Sequence, residues 1–133
     1  MSHRKISAAL SSRLNTLPDA PPIAFENVPF TPVDGTTWLR ESYLPANSAT
    51  VGLEPSGSTD FVGVYQISIY TPLDDSKFGA HQLIDDITAH FARGTGLDFD
   101  GQGVIIEQVN VAQGLASGSW WLMPVRVNWR AFG

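Results

Sequence analysis

At 133 residues the chain fits a single domain with one hydrophobic core. It contains no cysteine, which excludes disulfides, thiolate metal sites and cysteine nucleophiles, and a core of this size calls for no cofactor. A net charge of −5 argues against a surface that grips duplex phosphates, and no apolar run approaches the roughly 20 residues of a membrane span, so the expectation is a soluble, unprocessed chain.

Ser2 reads as an N-cap, and Ile6, Ala9, Leu10, Leu14 and Leu17 recur at helical spacing until Pro18. His3, Arg4 and Lys5 sit in the first turn, where the helix dipole disfavours cations, so this end is expected to be frayed and solvated. After the bend at Leu17–Pro22, Ile23–Glu26 is a short strand candidate. Asn27–Gly35 carries Pro29 and Pro32 and reads as an extended loop pinned by Phe30. Trp38–Leu44 alternates as a strand with mixed faces. Ala46–Thr50 is polar, Val51–Leu53 is a short strand candidate, and Glu54–Asp60 is the tip of a long hairpin that returns through Phe61–Thr71. That tip, around 54–60, is the most flexible segment by composition.

Asp74, Asp75 and Ser76 cap a second helix over Ser76–Arg93, with Leu83, Ile84, Ile87 and Phe91 as its buried stripe and Gly94 as its stop. Leu97–Gly103 reads as a turn, Val104–Val111 as a strand, and Ala112–Gly118 as a turn of small residues. The final stretch, Ser119–Phe132, alternates with a period of two over its whole length. Trp121, Met123, Val125, Val127, Trp129 and Ala131 form one committed apolar face, on which Trp121→Ala should cost about 3 to 5 kcal/mol. The other face mixes Trp120, Leu122 and Phe132 with Arg126, Asn128 and Arg130, a composition that calls for cover by a second layer of the chain or by a partner subunit. The expected fold is therefore α+β: a two-layer sandwich with a mainly antiparallel sheet of about four to five strands and two helices packed on one face.

Catalytic patterns are sparse. His81 and His90 are nine residues apart on one helix, half a revolution out of phase, and cannot ligate one metal. His81 with Asp85, and Asp86 with His90, have i,i+4 spacing that could make a carboxylate–imidazole pair, but a solvated helix face accounts for both. The glycines at 94, 96, 101 and 103 precede a strand, so they form no phosphate loop, and no serine sits in a nucleophile elbow. Arg126, Trp129 and Arg130 superficially suggest single-stranded nucleic acid, but two arginines in an acidic chain carry that reading only a short way.

The stretch Pro22–Pro45, with Ile23, Phe25, Glu26 and Asn27 followed by Phe30, Pro32, Gly35, Trp38 and Leu39, resembles the tail terminators of long, non-contractile-tailed phages. Gly63–Ile67, the helix with Ala80 and Phe91, and the final strand with Trp121, Pro124 and Val125 fit the same resemblance. It implies a non-catalytic structural virion protein at the head-proximal end of the tail, assembled in the host cytoplasm. Such a subunit forms a hexameric ring on the tail tube, stops tube polymerisation and docks the head-to-tail connector. The partners implied are further copies of the chain, the tail tube protein and the connector, with no membrane and no specific nucleic acid. The alternatives are another head-to-tail joining or tail completion protein, or a small-ligand-binding or hydrolytic α+β domain using His81, Asp85, Asp86 or His90.

The residues themselves nominate the contacts. Trp38, Arg40, Tyr43, Tyr70, Trp120, Arg126 and Arg130 are the expected subunit or partner interface, since arginine pairs bidentately with carboxylates and tryptophan supplies area. Glu54, Ser56, Gly57 and Asp60, with Asp98 and Asp100, are the expected loop contacts to a partner or to a channel lumen through which DNA slides without sticking.

Overall fold

A computed structural model of the chain describes residues 2–46, 49–50, 59–73 and 77–132. Helix α1, His3–Asn15, begins where Ser2 accepts a hydrogen bond from the Lys5 amide on its Oγ at 3.2 Å, and Pro18 prevents its continuation. Its first turn is anchored, not frayed. Lys5 Nζ lies 3.3 Å from the Asp100 carboxylate and donates to the Asp100 carbonyl at 3.2 Å, which offsets the adverse dipole. Helix α2 spans Lys77–His90, shorter than the periodicity predicts, because Gly94 leaves the helix to donate its amide to the Ile106 carbonyl at 2.7 Å. The capping residues expected at 74–76 lie outside the described residues.

The strands are β1 (Ile23–Ala24), β2 (Trp38–Pro45), β3 (Ala49–Thr50), β4 (Thr59–Pro72), β5 (Gly96–Phe99), β6 (Gln102–Val111), β7 (Leu115–Ser117) and β8 (Trp120–Phe132). They form one sheet in the order β1-β2-β4-β8-β6-β5, with β3 added to β4 and β7 to β8. The expected two-layer sandwich of four to five antiparallel strands is wrong: the sheet is wider, mixed and curled into a half-barrel. It is mixed because β1 runs parallel to β2, with Ile23 opposite Leu39. It curls around β4 and β8, which pair from Asp60–Phe132 to Pro72–Trp120. Two strands of that length accumulate a large right-handed twist. Their neighbours also change along the way, from β2 to β3 beside β4 and from β6 to β7 beside β8, and a bulge at Glu107 bends β6.

Two strands arise where turns were expected. Leu97–Gly103 is a hairpin: Phe99 pairs with Gln102, and Asp100 (φ 49°) and Gly101 (φ 85°) are its two-residue loop, the left-handed pair of a type I′ turn. Leu115–Ser117 pairs with Trp120–Leu122. The strand expected at Val51–Leu53 and the flexible tip at 54–58 lie outside the described residues.

The core gathers one sheet face against both helices. Ile6, Leu10 and Leu14 of α1 and Ile87 of α2, with Phe91 just beyond it, meet Leu39, Tyr65, Ile67, Ile69, Val104, Ile106, Val125, Val127 and Trp129. Trp121 shares the phase of this face but lies beyond it, 37% exposed, so the core penalty assigned to its loss does not apply. Pro124 interrupts nothing: it sits where β6 gives way to β7, and its carbonyl accepts from the Ala112 amide at 2.9 Å.

Candidate subunit interface

The face of the sheet turned away from the core is laid out in rows by the strand registers. At one end Trp38, Tyr70, Leu122 and Leu115 stand side by side, followed by Arg40, Ser68 and Pro124. Next come Ser42, Gln66, Arg126 and Asn110, then Leu44, Val64, Asn128 and Gln108, and finally Val62, Arg130 and Ile105. The sequence alternation of β8 places Arg126 and Arg130 on this face. What it does not display is that Leu44, Val64 and Ile105 arrive beside them, because those residues come from other strands and meet only through register.

The chain covers one end of this face itself. The connection from β1 to β2 crosses it and lays Phe30 on Trp38, with ring centroids 5.1 Å apart. Trp38 stacks on Tyr70 at 4.1 Å and 6°, Trp120 meets it edge-on at 5.9 Å, and the Arg40 guanidinium sits 5.3 Å above the Trp38 ring. Trp38 is left only 3% exposed, so what this cluster offers a neighbour is Arg40 and the outer edges of the rings.

Among the described residues the other end is open. Leu44 is 48% and Ile105 39% exposed, and a cleft of about 310 Å³ lies among Ala46, Val62, Val64, Glu107 and Asn128. Arg130 Nε donates to Glu107 at 2.6 Å, whereas exposed Arg126 donates to a neutral amide, Gln66 Oε1, at 3.3 Å. Arg126 therefore presents a positive charge with no carboxylate partner among the described residues, while Glu107 is engaged by Arg130.

Tyr43 stands apart from the other nominated residues. It points to the core side, stacks on Trp129 at 5.6 Å, shares a hydrogen bond of 2.8 Å between its hydroxyl and His3 Nδ1, and has its phenol pushed up to about 12 by burial. Asp98 accepts from the Gly101 amide in the β5–β6 hairpin, and Asp100 holds Lys5. Asp60 lies within β4, paired with Phe132, and not at a loop tip. Glu54, Ser56 and Gly57 lie outside the described residues.

On α2, His90 Nε2 is 2.7 Å from the Arg13 carbonyl and 3.0 Å from Thr16 Oγ1, and Arg13 Nε donates to the His90 carbonyl. This reciprocal pair ties the ends of the two helices together, and Asp86 accepts from Gln82. No group of three His, Asp or Glu among the described residues is placed to hold a metal, and no helix there is long and apolar enough to cross a membrane.

The sequence profile of a family described as phage tail terminator protein matches residues 5–129. The chain belongs to the phage tail terminator family. It is thus a structural protein of the bacteriophage tail, a virion component that interacts with other tail or head parts. A solved structure 22% identical in sequence superimposes with a TM-score of 0.77 over 98% of this terminator and 96% of the other chain, which establishes a shared fold. No curated protein matches the sequence.

Proposed function

We propose that this terminator has no catalytic role and assembles into a hexameric ring at the head-proximal end of the tail. There it caps the tail tube, halts its polymerisation and offers the connector its docking surface. The observation that carries this reading is the half-covered sheet face, where exposed Leu44 and Ile105 and half-buried Val64 lie beside an arginine that has no carboxylate partner among the described residues. A combination of exposed aliphatic area and arginine suits a protein–protein contact better than solvent. A contact between two different patches of one subunit, with the right rotation, closes into a ring.

Light scattering across a concentration series, with negative-stain imaging of the largest species, tests this directly. Closed rings of uniform subunit number are expected. A chain that stays monomeric at every concentration, and that leaves isolated tail tubes free to lengthen, would overturn the reading.

A further inference from the structure

The most exposed large apolar side chains among the described residues are Val33 at 65% and Val28 at 57%, both in the connection between β1 and β2. This connection is held in shape. Phe30 is stacked on Trp38, and turns close at each end through Val28 N to Phe25 O at 3.2 Å and Thr36 N to Val33 O at 3.1 Å. Pro29 and Pro32 fix two further backbone angles. A segment that is rigid and yet holds two valines in water has already lost the entropy that docking would otherwise cost. Between those valines and β2 it carries exposed Asp34, and Glu26 precedes them.

The open cleft is mostly apolar, lined by Ala46, Val62 and Val64; its carboxylate, Glu107, is engaged by Arg130, and cationic Arg126 stands one row away on the same face. Phe30 holds the loop over the Trp38 end of the face, six residues along β2 from Leu44, or about 20 Å, while Val28 lies near Arg40 and Ser42. In this fold none of the loop residues lines the chain's own cleft, and both valines stay exposed. We infer that the loop around Val28 and Val33 inserts into the cleft beside Leu44 and Val64 of a second copy, with Asp34 approaching that copy's Arg126. The contact joins two different patches and so propagates head to tail, which rests on the ring reading above and supplies its interface.

The absence of cysteine makes a direct test clean. Val33→Cys and Leu44→Cys are prepared separately, mixed under mild oxidation and run without reductant. The mixture should give a disulfide-linked dimer that neither variant gives alone, and the chain carrying both cysteines should give a ladder ending at the ring number. Val33→Glu, at an exposed position, should keep the wild-type melting curve and weaken self-association by tenfold or more. If wild-type rings form but the mixed variants fail to cross-link and Val33→Glu assembles normally, the loop-in-cleft contact is wrong and the ring stands. If the wild type associates neither alone nor on isolated tail tubes, both fall.

Discussion

Gly63 decides how the largest fully buried side chain packs. A Cβ there would lie 2.5 Å from Trp129 Cζ2 and 2.8 Å from the Leu44 carbonyl, distances that no relaxation of a flexible side chain can relieve. Gly63→Ala should therefore destabilise the fold by about 1 to 3 kcal/mol, read as a lower urea midpoint with an unchanged slope. Two phenols give a second prediction. Burial raises Tyr43 to about 12, and it raises Tyr65 further, helped by the charge and hydrogen bond of Glu41. Both are held neutral in the fold, while the unfolded chain releases these protons around the ordinary phenol value of 10.0. Above pH 10 the unfolded state thus binds fewer protons, and stability falls as pH rises, for Tyr43 through a window that closes near 12. Denaturation at a series of alkaline pH values should show this decline, and Tyr43→Phe should flatten part of it.

At the scale of elements, Glu41 joins three of them. It is 6% exposed, accepts from Ser11 Oγ of α1 at 2.6 Å and from Tyr65 of β4 at 2.5 Å on one oxygen, and from the Glu26 amide beyond β1 at 3.1 Å on the other. Removing it strands three buried or half-buried donors. Glu41→Ala should cost about 3 kcal/mol, with faster amide exchange at Glu26 and along the β1–β2 pairing. Trp121→Ala belongs here too, because its ring lies past the helices and over Gly114, on the short β7–β8 hairpin. With over a third of its surface already in water, its loss should cost roughly 2 kcal/mol, measured as a modest drop in melting temperature.

At the scale of the whole molecule, the two ends of the open sheet face differ. One is sealed by the chain's own aromatic stack, the other exposes aliphatic side chains beside Arg126. Arg126→Glu exchanges a weak contact with Gln66 for a negative charge on an exposed site, so the monomer should keep its melting temperature to within about 0.5 kcal/mol of stability. Self-association, followed by sedimentation velocity, should weaken and lose its salt sensitivity. Arg130→Glu is the harsher change, since it sets a carboxylate against Glu107 within the same chain.

The sequence by itself determined what depends on neighbours along the chain. The Ser2 cap, the α1 stripe, the core phase of β8 and the pinning role of Phe30 all follow from local spacing and side-chain chemistry. The Asp100–Gly101 pair between Leu97/Phe99 and Gln102/Val104 was also local, a hairpin signal masked by its glycine-rich surroundings. Tertiary structure alone decided the width and curl of the sheet, since these depend on which long strands pair and where their neighbours change. It alone decided that Trp38 is sealed and Trp121 over a third exposed, because alternation assigns a side chain to a face and cannot say how far the covering layer extends. And only register across four strands could bring Leu44, Val64, Arg126 and Ile105 to one open end of one face, residues separated in sequence by spans that no periodicity connects.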